Sequence, residues 1–183
     1  MAATETPTLA EAEKNATIGR FLYRQLFLTV PPPPAISLTG KTAIVTGANT
    51  GLGLEIARQL LDHGLSKLIL AVRDEVKGQN ARAELLSGRD SSDLSIEVWQ
   101  LDMLSYESIT TFVERIKGLP SLDIAVLNAG VMKQIYTTSS STGHEDTTQV
   151  NFLSTALLAI LLLPILNPKS KSKPNELGCL VWV

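Results

Sequence analysis

Three glycines, Gly47, Gly51 and Gly53, follow a short apolar run (Thr42–Val45). They precede a stretch that puts Ile56, Ala57, Leu60 and Leu61 on one helical face. Strand, glycine turn and helix N-terminus can together hold a pyrophosphate. The first N–H groups of a helix lack intrahelical partners, and the helix dipole favours an anion there. Glycine lets the backbone approach phosphate oxygens because no Cβ intervenes. The positions that would face such a group are Gly47, Asn49, Gly51, Leu52 and Gly53. A second anion chemistry lies at Arg73, which ends the apolar run Lys67–Val72 and has Asp74 beside it and Lys77 one helical turn on. A guanidinium grips phosphate through two parallel, charge-assisted N–H bonds.

The elements that must position these residues alternate along the chain. Strands are expected at 42–45, 67–72, 95–101, 122–127 and 178–183. Helices are expected between them: one after Gly53 that ends at His63-Gly64 with Gly64 as C-cap, one over 74–86, and one capped by Ser105 with Ile109, Phe112, Val113 and Ile116 as its core stripe. His63 is read as a helix-dipole partner, not as an acid or base. Thr142-Gly143-His144-Glu145 has capping-box spacing ahead of the nearly all-apolar run 153–166, which is expected to be a buried helix. Strand–helix alternation implies parallel strands joined by right-handed crossovers, hence an α/β, doubly wound, three-layer sheet. Ahead of it, residues 1–37 read as an arm with the polyproline spacer Pro31–Pro34, and 38–183 as the domain. Within the arm, Ile18–Leu28 can form a short amphipathic helix. It is too short to span a bilayer and is read as packed on the domain and not as a membrane anchor.

Composition narrows the classes. The chain has 183 residues, 44% hydrophobic and 19% charged, and a net charge of −2. That is a globular balance without the basic footprint of a nucleic-acid binder. Cys179 is the single cysteine, which suits a reducing compartment and the cytoplasm. No metal site and no transmembrane segment are expected.

The turn is T-G-x-x-x-G-x-G, not the G-x-G-x-x-G of most dinucleotide folds. It resembles the cofactor turn of the short-chain dehydrogenase/reductase family. Asp102, in Leu101-Asp102-Met103-Leu104-Ser105, and the triplet Asn128-Ala129-Gly130 resemble two further family motifs, in the right order. The resemblance implies a Rossmann-type fold, an adenine contact from Asp102, and ribose-lining backbone at Asn128 and Ala129. In dinucleotide folds a basic residue at the end of the second strand suits a 2′-phosphate, so Arg73 and Lys77 favour NADP over NAD. Asn151, in Val150-Asn151-Phe152, resembles the asparagine of the family's catalytic tetrad, where it holds a water that links the catalytic lysine to solvent. The stretches around Phe21, Trp99 and Asn151 look like fungal members, many of which act in secondary-metabolite pathways.

Two parts of the family's catalytic set are missing, the serine that follows the fifth strand and the Y-x-x-x-K motif. The general acid is a tyrosine in Y-x-x-x-K, whereas Tyr23, Tyr106 and Tyr136 are followed at the fourth position by Phe27, Thr110 and Ser140. The expectation is therefore an NADP(H)-dependent oxidoreductase for a small-molecule carbonyl or alcohol, truncated after its fifth strand and inactive as given, with a homodimer allowed for a full-length form. The alternative is a non-catalytic nucleotide-binding or interaction protein derived from such an enzyme.

Overall fold

The computed structural model describes residues 17–27, 36–89, 94–166 and 178–183. The polyproline run lies outside them. The chain divides into Met1–Ala35 and Ile36–Val183. Of the first unit one helix is described, α1 (Ile18–Phe27), with the Tyr23 and Phe27 rings 5.3 Å apart.

In the second unit five strands form one parallel sheet in the order β3-β2-β1-β4-β5. They are β1 (Thr42–Thr46), β2 (Lys67–Val72), β3 (Ser95–Gln100), β4 (Ile124–Leu127) and β5 (Cys179–Trp182). β1 is central because it is buried throughout; it pairs with β2 through Ile44 opposite Ile69 and with β4 through Ile44 opposite Ala125. Alternation along the strands sorts the core into two layers. Ala43, Val45, Leu68, Leu70 and Val126 pack against Ala57 and Leu61 of α2 (Gly51–Asp62) and Ala81 and Leu85 of α3 (Glu75–Leu86). On the other face Ile44, Ile69, Trp99, Ala125 and Leu127 pack against the Ile109–Ile116 stripe of α4 (Tyr106–Lys117) and against Leu158 and Leu162. This is the expected three-layer, doubly wound arrangement.

The caps follow the sequence reading in part. Gly64, at φ 82°, ends α2: the Gly64 N–H reaches the Leu61 carbonyl and the Leu65 N–H reaches that of Leu60. Asp74 and Ser105 cap α3 and α4 through the N–H groups of Lys77 and Ser108.

The capping box expected from Thr142 is not formed. Glu145 is itself the N-cap of α5 (Asp146–Thr148) and accepts from the N–H groups of Thr147 (2.9 Å) and Thr148 (2.6 Å), while the Thr142 hydroxyl donates to Gln149. Those N–H groups hold the Glu145 carboxyl below its ordinary 4.5, at about 2. A carboxyl lowered by folding stabilises above its unfolded value, and that contribution disappears as pH falls through the folded one. The stability gap between wild type and Glu145→Gln should therefore be complete near neutral pH and close between 4.5 and about 2. Thermal melts across that range would read it, and a gap that stayed constant to the bottom would count against this cap.

After α5 the helix widens into a π-helical stretch, Gln149–Ser154, and tightens again as α6 (Thr155–Leu162). The expected burial of the whole apolar run is corrected here. α6 lies on the sheet, so Leu158 and Leu162 are buried while Ile160 and Leu163, on its outer side, are exposed. The helix also stops at Leu162, short of the expected 166. Leu163 keeps helical dihedrals, φ −49° and ψ −47°, but Pro164 beyond it has no N–H to continue the helical ladder.

Candidate functional site

The strand order reverses at β1, because the crossover from β1 leads to β2 on one side while β4 lies on the other. Ligands of open α/β sheets enter at that switch point, beyond the carboxyl ends of the strands. A groove of ≈ 290 Å³ lies there. Its lining comes from the segment after each of the first four strands: Gly47, Asn49 and Thr50; Arg73; Leu101 to Leu104; and Asn128 to Val131.

The turn after β1 is shaped for close approach. Gly47 has φ 65°, a left-handed backbone that side chains rarely adopt. A Cβ placed on Gly53 would lie 2.5 Å from the Gly47 carbonyl oxygen and 2.5 Å from Asn128 Nδ2. The turn is braced from β4. Thr46 Oγ1 accepts from the N–H groups of Asn128 and Ala129, both at 2.9 Å, and Asn128 Nδ2 donates back to the Thr46 carbonyl at 3.0 Å. Thr50 opens α2 without a side-chain cap, and no acidic residue occupies the helix's first turn. The leading N–H groups of α2 thus keep no side-chain acceptor of their own, the condition under which a helix start takes an anion.

Arg73 is exposed at the rim and forms no ion pair among the described residues. Its neighbour Asp74 is engaged as the α3 cap, with Oδ1 3.1 Å from the Lys77 N–H. Lys77 does not line the main groove. It lines a second hollow of ≈ 410 Å³ with Asn49, Thr50, Asn80, Ala81 and Glu84, so Asn49 and Thr50 form the ridge common to both. Asp102 lines the main groove, and its Oδ1 accepts from the Leu104 N–H at 2.9 Å.

Of the residues singled out from the sequence, Gly47, Asn49, Arg73, Asp102, Asn128 and Ala129 are gathered in the groove. Gly51, Leu52 and Gly53 stand beside it in the first turn of α2, with Leu52 exposed. Asn151 does not line the groove; it lies in the π-helical stretch. Its Oδ1 accepts from the Val131 N–H and its Nδ2 donates to the Val131 carbonyl, both at 2.8 Å. It therefore holds in place a residue that lines the groove. The sequence reading missed the bracing role of Thr46, the apolar wall of Met103, Leu104 and Val150, and Thr50 on the ridge. Thr46 had a signal, since it opens the glycine motif. Val150 had none beyond its place next to Asn151.

Comparison with known proteins places the same features in context. The family model described as short chain dehydrogenase matches residues 41–173. The short-chain dehydrogenase fogG of Aspergillus ruber is 53% identical over 173 residues, covering 93% of this chain and 49% of the relative. The short chain dehydrogenase virL of Hypocrea virens is 50% identical over 161 residues, covering 88% and 47%. The chain thus spans about half the length of these curated relatives. Among solved structures, a short chain dehydrogenase from Shigella flexneri complexed with NADP superposes with TM-score 0.62 at 27% identity, covering 81% of this chain and 60% of that one. No helix among the described residues is long and apolar enough to cross a membrane.

Proposed function

The chain belongs to the short-chain dehydrogenase family, and from that premise we propose that residues 36–183 bind NADP(H) and form the cofactor-binding part of an oxidoreductase acting on a carbonyl or alcohol. The observation that carries this reading is the groove itself. A helix start without a side-chain cap and a glycine turn stand at one end, and an arginine with no ion pair among the described residues stands at the rim. Glycine backbone and the leading N–H groups of α2 would hold the pyrophosphate. Arg73, helped by Lys77 across the Asn49–Thr50 ridge, would hold the 2′-phosphate. Asp102 would meet the adenine, and backbone at Asn128 and Ala129 would line the ribose. Binding of NADP by the Shigella flexneri relative supports the cofactor class.

Bound NADPH supplies a hydride, and a carbonyl that accepts it needs a proton for the developing alkoxide. No tyrosine of these 183 residues has a lysine four positions on. Asn151, placed against Val131, could orient a tetrad but carries no such proton. We therefore assign binding without turnover to this chain alone, and carbonyl or alcohol chemistry to a protein that also has the dyad. We further propose, carried over from the family resemblance, a place in fungal secondary metabolism, a cytoplasmic setting and a homodimer.

The experiment is a titration of the purified chain with NADPH and NADH, followed by nucleotide fluorescence. NADPH is expected to bind at least about tenfold tighter, and Arg73→Ala to weaken NADPH by about 10- to 100-fold while changing NADH little, since charge-assisted bonds contribute ~1.5–3 kcal/mol. Equal affinity for the two cofactors in the wild type would sink the NADP assignment. Consumption of NADPH with simple ketones would sink the assignment of binding alone. It would also exclude the non-catalytic relative as an alternative.

A further inference from the structure

Gln149 is fully buried, at the first position of the π-helical stretch, and does not itself line the groove. A fully buried side-chain amide needs partners on both its oxygen and its nitrogen. Its Oε1 accepts from the Thr142 hydroxyl, and its Nε2 donates to the Leu104 carbonyl at 3.2 Å. The same Leu104 carbonyl accepts from the Ser141 hydroxyl at 3.1 Å. With both lone pairs engaged, the orientation of the Leu104 peptide group is set. The N–H of Leu104 in turn meets Asp102 Oδ1 at 2.9 Å, and the adjacent Met103 carbonyl accepts from the buried Ser154 hydroxyl. Asp102, Met103 and Leu104 all line the groove.

Thr142 and Ser141 lie at the tip of a small hairpin. Thr138 bridges to Glu145, the Asp146 N–H donates to the Thr137 carbonyl, and the Ser139 N–H donates to that of His144. The buried Asp146 ties the base of this hairpin to the helix, through Lys133 Nζ and the Thr137 hydroxyl on its Oδ2. No residue of 137–146 lines the groove. The hairpin tip and the wall of the groove therefore share two anchors, the Gln149 amide and the Leu104 carbonyl.

We infer that Gln149 is a positioning residue for the wall that receives the adenosine half of the dinucleotide, and that it couples the filling of that wall to the ordering of the hairpin 137–146. This rests on the NADP(H) reading above. The coupling needs no contact between hairpin and ligand. A ligand on Asp102 and Leu104 immobilises the peptide to which the hairpin is attached, and Gln149 carries the restraint to Thr142.

Adenosine 2′,5′-bisphosphate is the probe, because it carries adenine and 2′-phosphate but no nicotinamide. Calorimetry gives its affinity, and backbone hydrogen exchange at saturation reads the hairpin. In the wild type, binding should slow exchange at the Ser139 and Gly143 N–H groups, whose partners lie within the hairpin. Gln149→Leu should bind the probe about tenfold more weakly, and at saturation its hairpin should exchange as in the free protein. Thr142→Val breaks the link on the hairpin side alone and should also abolish the ligand-dependent slowing. It tests the coupling even if Gln149→Leu does not fold. A purely structural role for Gln149 would alter exchange equally with and without ligand. Wild-type affinity in Gln149→Leu, or slowing that persists in either saturated variant, would overturn the inference while leaving the cofactor reading intact. Absence of probe binding in the wild type would overturn the cofactor reading and this inference with it.

Discussion

Gly53→Ala is expected to lower NADPH affinity by about two orders of magnitude or more and to destabilise the fold by about 1–3 kcal/mol. The new Cβ would stand 2.5 Å from the Gly47 carbonyl oxygen, a backbone atom that cannot swing aside like a side-chain tip. It would stand equally close to Asn128 Nδ2, which is held by the Thr46 carbonyl. Relief requires α2 to back away from the turn or the turn to open. Either movement displaces the helix start from the groove, and the leading N–H groups no longer converge with the glycine turn. Affinity should therefore fall more steeply than stability. Paired calorimetric titration and urea unfolding of the variant and the wild type would measure both. Retained NADPH affinity in a folded Gly53→Ala protein would show that the groove does not receive a pyrophosphate in the way described.

The second large effect is expected at Thr46. Its side chain is 1% exposed, and its hydroxyl oxygen is the acceptor for two consecutive backbone donors, the N–H groups of Asn128 and Ala129. Valine fills the same volume but offers no acceptor. Two N–H groups would be left without a partner at half-buried positions, at about 2–6 kcal/mol in total, taking ~1–3 kcal/mol for each buried unsatisfied donor. Thr46→Ser keeps the oxygen and should lose less than about 1 kcal/mol, chiefly through the missing methyl. The urea midpoints should follow the order wild type, Thr46→Ser, Thr46→Val with an unchanged slope. Equal midpoints for the valine and serine variants would contradict the brace. Because Asn128 and Ala129 also line the groove, NADPH affinity should follow the same order.

Much of the architecture was legible before any coordinates. The glycine turn, the two-residue period of the strands and the apolar stripe of α4 are local patterns, and each specifies its element over a few residues. Where the reading failed, a distant partner intervened. Thr142 had the spacing of a helix cap, but Glu145 supplies its own carboxylate to the first N–H groups, and the Thr142 hydroxyl is drawn to Gln149. The run 153–166 looked uniformly buried because nearly every residue is apolar. Which side meets the sheet depends on where α6 crosses it, and that is not written in composition. Lys77 follows Arg73 by one turn, yet the Asn49–Thr50 ridge separates the two into adjacent hollows.

The sequence by itself determined the family and the cofactor turn, because these reside in short contiguous motifs: Thr46 to Gly53, Asp102 and Asn128-Ala129-Gly130. Y-x-x-x-K is a contiguous motif too, and none of the 183 residues forms it. Only the tertiary structure decided how the motifs support one another. Thr46 meets Asn128 and Ala129 across separations of 82 and 83 residues because β1 and β4 are neighbours in the sheet. Gln149 reaches the Leu104 carbonyl across 45 residues. Hydrogen-bond partners at such distances are assigned by strand order and helix placement, which arise from burying both faces of the sheet at once and cannot be read from any single segment.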